Sequence, residues 1–180
     1  MQVYKLFYQN SKKKKFHFSK LNSSVITGSS EVCFGLKIEP ERYKEFLKNI
    51  SQYLLKNIIH QHIMTDYKFV QLICHSKFLN FELTDINFYG EEHYQNDELV
   101  QELKEALWYS DVNEILELLQ EALDSGYKIF SITGNIKINE EGFEQIKIYA
   151  NGTISIESKV QEGQKYPIID YLIKGPEVLL

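Results

Sequence analysis

The hydrophobic and polar positions of this chain repeat with two periods, and each change of period marks a strand or a helix. Residues 3 to 8 and 16 to 21 alternate on either side of Asn10-Ser11 and the lysine run 12 to 15, which predicts a hairpin with a polar connection. Ser23, Ser24, Gly28, Ser29 and Ser30 mark a loop. From Glu31 to Glu39, Val32, Phe34, Leu36 and Ile38 recur at every second residue, which sets them on one face of a strand. The period then lengthens. Pro40 suits a first helical turn, and Tyr43, Phe46, Leu47, Ile50, Leu54 and Ile58 predict a helix running from about Pro40 to His60. Tyr67 to Cys74 and Phe78 to Phe88 are rich in β-formers and predict another antiparallel pair.

Asp97 and Glu98 open a helical stretch with an apolar stripe of Leu99, Val100, Leu103, Ala106 and Leu107. Ser110-Asp111 interrupts it. Asp111 with Glu114 three places later signals a new start, and Ile115, Leu116, Leu119, Ala122 and Leu123 carry the apolar face to a stop at Gly126. Alternation then returns through Ile136 and Ile138, through Ile146, Ile148 and Ala150, and through Ile154 and Ile156. Glu140-Glu141-Gly142 predicts one turn, Asn151-Gly152 predicts a type I′ turn, and Pro167 to Ile173 predicts a final edge strand. The grouped order implies an α+β fold, a mostly antiparallel sheet or sheets with about three helices packed on one side. A single domain over residues 1 to 180 is expected, with two lobes meeting near residues 90 to 96 as the other arrangement.

Composition narrows the class. At 43% hydrophobic and 25% charged residues the chain is ordinary for a globular protein, and no apolar run of about 18 residues suggests a membrane span. The two cysteines, Cys33 and Cys74, sit in apolar runs as free buried thiols would, and the segment Met1 to Lys5 lacks the pattern of a secretory signal. A cytoplasmic location is expected. Arg42 is the single arginine, which argues against arginine-built phosphate clamps. No P-loop, Gly-rich dinucleotide turn or serine elbow is present.

Candidate chemistry is sparse. His60 and His62 share a face only if the backbone is extended there, whereas the predicted helix end makes them cations at a helix C-terminus; His75 and His93 are the further candidate ligands. Glu157-Ser158-Lys159 matches half of a metal-dependent nuclease signature, with Asp124, Glu140 or Glu144 as conceivable partners. Asp66, Glu82 and Asp85 are candidate paired carboxylates, and Cys74-His75 points its neighbours to opposite faces of a strand. No cofactor and no metal centre is expected.

Charge is the strongest signal. Residues 1 to 90 hold 13 Lys+Arg against 7 Asp+Glu, and residues 91 to 180 hold 7 against 18, so the halves are +6 and −11 within a net charge of −5. Only Lys104 interrupts the acids between residues 91 and 127. The leading expectation is a non-enzymatic interaction protein of inhibitor, immunity or adaptor type, docking a basic protein on acidic helices through Glu114, Glu117 and Glu121, with Trp108, Tyr109, Tyr94 and Tyr89 as aromatic anchors. The alternative is a nucleic-acid-binding accessory protein using Lys12, Lys13, Lys14, Lys15, Phe16 and Phe18, in which lysines neutralise phosphates and aromatics stack bases. A metal-dependent nuclease ranks third.

Overall fold

The computed structural model describes residues 1–10, 12, 16, 24–90, 97–139, 142–157 and 165–176. Its elements fall into two compact units, Met1–Ile63 with Asn151–Leu180 and Met64–Ala150. The boundaries lie at residues 63/64 and 150/151. Residues 90 to 96, the expected meeting point of two lobes, fall inside the second unit, and 91–96 lie outside the described residues. The class is α+β with antiparallel strand pairing, but the described residues form five α-helices rather than about three.

In the first unit, β1 (Gln2–Gln9) is the central strand. One edge pairs antiparallel with β3 (Cys33–Lys37), which in turn pairs with β2 (Val25–Thr27). Its other edge is shared, the first half pairing with β8 (Thr153–Ile156) and the last residues with β4 (Ile59–Gln61). Two hydrogen bonds fill the gap: the Leu6 amide donates to the Gly152 carbonyl at 3.0 Å, and the His62 amide donates to the Leu6 carbonyl at 3.0 Å. A Cβ at Gly152 would stand 1.9 Å from the His62 carbonyl oxygen, so only glycine fits this crossing. Gly152 has φ 74° while Asn151 stays outside the positive range, so the expected type I′ turn does not form; the Asn151 side chain instead accepts from the Thr153 amide at 2.9 Å.

Because β1 is flanked on both edges and covered on both faces, Tyr4, Lys5, Leu6 and Phe7 are all buried, where alternation implies one polar face. The Lys5 ammonium donates to the Asn151 carbonyl, and burial lowers its pKa to about 8. Phe7, Phe16, Phe34, Leu36, Ile50 and Ile59 form one core cluster beneath α1 (Tyr43–Leu55). Arg42 spends its guanidinium locally, on Glu45 at 3.0 Å and Glu39 at 3.7 Å.

Two further sequence expectations fail in this unit. The first helix ends at Leu55 rather than near His60, because Asn57 turns left-handed with φ 52° and frees Ile59–Gln61 to join β1. The segment expected as an edge strand is helix α5 (Pro167–Lys174), started by Pro167; Ile168, Ile169, Asp170, Tyr171 and Leu172 are all buried, which hides the helical period. Asp170 is 1% exposed and satisfied: it accepts from the Ser30 hydroxyl and from the Ser30 amide at 3.0 Å, and lies 3.6 Å from Lys174, which itself donates to the Ser30 hydroxyl at 2.9 Å.

The second unit holds three antiparallel strands, β5 (Phe81–Phe88), β6 (Ile129–Asn139) and β7 (Gly142–Tyr149), in that order. Asn139 and Gly142 face each other across the expected turn at residues 140–141, which themselves lie outside the described residues. Residues 67 to 74, expected as a strand, lie in helix α2 (Asp66–Cys74), capped by the Thr65 hydroxyl on the Lys68 amide and burying Phe69, Leu72 and Ile73. Helices α3 (Glu98–Tyr109) and α4 (Val112–Asp124) follow the expected apolar stripes.

Candidate functional site

Both acidic helices begin on an aspartate. Asp111 accepts from the Asn113 and Glu114 amides at 3.0 and 3.3 Å, as its spacing to Glu114 suggests. Asp97 accepts from the Leu99 amide at 3.1 Å and, on its other oxygen, from the Tyr127 hydroxyl at 2.6 Å. Burial of Val100, Leu103, Ala106 and Leu107 on α3, and of Ile115, Leu119 and Ala122 on α4, turns the remaining faces to water. Glu98, Glu102 and Glu105 repeat at i, i+4 and i+7 on the first helix, and Glu114, Glu117 and Glu121 at i, i+3 and i+7 on the second; all six are exposed.

The two stripes converge. Asp97, Glu98, Glu102 and Glu121 line one recess of about 610 Å³ together with Tyr127. None of Glu114, Glu117 and Glu121 forms an ion pair among the described residues, and Lys104 is the single cation within either helix. Like charges three or four residues apart on a helix cost about 0.2–0.5 kcal/mol per pair, a repulsion that an incoming cation relieves. The α4 stripe is legible in the sequence; that its last member meets the α3 carboxylates is not, although the regular spacing of Glu98, Glu102 and Glu105 was the available signal.

The anchors divide. Trp108 and Tyr109, at the end of α3, are 85% and 77% exposed, far beyond what core filling would leave. Tyr89 is 53% exposed and belongs to a different cluster, edge-on to Phe130 at 5.1 Å, with Phe130 edge-on to Tyr149 at 5.7 Å. Tyr94 lies outside the described residues.

Of the residues named for nucleic-acid binding, Lys13, Lys14, Lys15 and Phe18 lie outside the described residues. Phe16 is a core side chain, 2% exposed, stacked on Phe34 at 5.6 Å and meeting the Tyr53 edge at 4.8 Å, which leaves no ring face for a base. Lys12 is placed by its amide, which donates to the Asn10 side chain at 3.0 Å.

The remaining candidates are scattered or occupied. His60 lies in extended backbone and stacks on Tyr8 at 6.5 Å, His62 is buried, and the His75 ring contacts the Gln71 carbonyl at 2.9 Å; His93 lies outside the described residues. Among the described residues no group of three His, Cys, Asp or Glu side chains could hold a metal ion. Glu157 is exposed just past β8, and Lys159 and Glu140 lie outside the described residues. Asp66 accepts from the Ile129 amide at 3.0 Å and pairs with Lys128 at 3.5 Å, which makes it a tie between α2 and β6. Cys33 is buried and its thiol pKa is pushed up to about 11, chiefly by that burial, so it is a poor nucleophile; Cys74 is exposed rather than buried as expected.

Comparison with known proteins finds no matching family model, no matching curated protein and no matching solved structure. Among the described residues no helix is long and apolar enough to cross a membrane.

Proposed function

We propose that this protein is a non-enzymatic interaction module whose second unit docks a basic protein segment on the acidic faces of α3 and α4. The observation that carries the reading is how charge is distributed between the units. Residues 64–150 hold 6 Lys+Arg against 17 Asp+Glu, a formal −11, while the other unit holds 14 against 8, a formal +6. A field of that sign accelerates encounter with a cationic partner and repels nucleic acid. Trp108 and Tyr109 supply the large amphipathic contact that charge alone lacks, since charged rims tune rate and register while aromatic anchors hold. An inhibitor, immunity or adaptor role fits this physics equally.

The test is calorimetric titration with a helical peptide rich in lysine and arginine. Binding should weaken steeply as salt rises past the point where the Debye length falls to about 10 Å. It should fall about tenfold or more in the Glu114→Lys, Glu117→Lys, Glu121→Lys triple variant and in Trp108→Ala. Unchanged affinity in the triple variant would refute the proposal.

A further inference from the structure

We propose that a second site in the acidic unit, independent of the docking face, binds a small apolar monocarboxylate. Ile73, Phe81, Leu83, Val112, Ile115 and Phe143 line a recess of about 340 Å³ formed where α2, the turn after it, β5, β6 and the start of α4 come together. That volume sits at the low end for small-molecule sites, and at about 30 Å³ per water-sized group it suits about ten heavy atoms. Gly134 helps to shape it. A Cβ there would lie 2.4 Å from the Phe81 ring, so glycine leaves that ring room beside β6.

The rim selects charge. Among the described residues Lys77 and Lys137 both line the recess, against the single carboxylate of Glu82. This is the reverse of the unit as a whole, which has 6 cations among 17 acids. Neither Lys77 nor Lys137 has an ion-pair partner among the described residues, whereas Lys128 is held by Asp66 and Lys147 lies over the Tyr149 ring at 5.7 Å. Lys137 stands directly opposite Phe143 across the β6/β7 ladder, so a cation and an aromatic side chain project together on one face. An apolar floor beneath two uncommitted ammonium groups is complementary to an acid with a hydrocarbon or aromatic tail. An amine would meet two like charges, and an alcohol would leave both cations unanswered.

The backbone is also strained there. The described chain has three non-glycine residues at positive φ, and two of them, Asn80 at 50° and Ser110 at 56°, line this recess. Left-handed conformations in such residues are unfavourable and gather at ligand sites. Here Asn80 turns the chain between α2 and β5, and Ser110 between α3 and α4.

The single tryptophan, Trp108, is two residues from Ser110 and serves as a built-in reporter. Its fluorescence is followed while the full chain is titrated with phenylpropanoate, phenylpropanol and phenylpropylamine. A saturable response to the acid, at least about tenfold tighter than to the alcohol or the amine, is expected. The Lys77→Gln, Lys137→Gln double variant should lose that preference while still accepting the alcohol, which shows that the recess remains folded. Val112→Phe should reduce binding of acid and alcohol alike by filling the space. Equal affinity for all three probes, or an acid response unchanged in the double lysine variant, would overturn the proposal. So would binding of a short peptide ending in a free Phe carboxylate when the free acid does not bind, because the occupant would then be a chain terminus. The triple Glu→Lys variant of α4 separates the two sites: it removes the docking response and leaves the acid-over-alcohol preference in place.

Discussion

The two units handle charge in opposite ways. In the first, ionisable groups are taken inside and committed: Asp170 is 1% exposed and bonded to Ser30 and Lys174, and Lys5 is 4% exposed and bonded to the Asn151 carbonyl. In the second, Glu98, Glu102, Glu105, Glu114, Glu117 and Glu121 stand in water. A buried charge must be answered within the fold, because desolvation costs several kcal/mol per ion when it is not. An exposed one costs little and is left available for a partner. The difference assigns fold maintenance to the charges of the first unit and recognition to those of the second.

Removing a committed charge should therefore produce the largest loss. Asp170→Ala strands the Ser30 amide and hydroxyl and leaves Lys174 without its carboxylate, and chemical denaturation should show a loss of about 3–5 kcal/mol. A loss below 1 kcal/mol would break the contrast. Within the acidic unit Asp66 and Asp97 are exceptions, and Asp97 serves the fold by holding both the Leu99 amide and the Tyr127 hydroxyl. Asp97→Ala should cost about 1–2 kcal/mol, measured in the same way.

The pH dependence of stability sharpens the contrast further. Burial lowers the Lys5 pKa from 10.5 to about 8 in the folded protein, so between those values the unfolded chain binds more protons than the native one. Stability must then rise with pH through that window. From pH 7.5 to 9 the gain should be about 1 kcal/mol, and Lys5→Met should abolish it. The comparison stops near pH 9 because the buried Cys33 thiol, with its pKa raised from 9.0 to about 11, loses stability above that point. The smallest effect belongs to the exposed stripe: each of Glu114→Ala, Glu117→Ala and Glu121→Ala should change stability by no more than about 0.5 kcal/mol.

Elements whose faces are half wet were legible in the chain. Strand β7 and helices α3 and α4 show clean periods, and Asp97 and Asp111 announce the helix starts. Helix α5, covered all round, was not, because Ile168, Ile169, Tyr171 and Leu172, interrupted by Asp170 alone, form an apolar run that suits a buried helix as well as a strand. Helix α2 was misread for a different reason: Tyr67, Phe69, Val70 and Ile73 are β-formers, and their composition outweighed the helical spacing of Phe69, Leu72 and Ile73 and the cap at Thr65. The acidic stripes needed only spacing to be found. The recess between Lys77 and Lys137 needed tertiary structure, since residues 60 positions apart in the chain have no local pattern in common.

The strand ladder of β1 has a consequence for biosynthesis. Gln2 pairs with Ile156 and Lys5 with Thr153, so β1 waits for the whole of residues 64–150 to be translated before that edge is filled. The acidic unit, continuous in the chain, can complete its own long-range pairings while the Gln2–Lys5 edge of β1 still lacks β8. A chain truncated after residue 150 should therefore resist protease across the acidic helices and be cut more readily than the full chain at Gln2–Lys5.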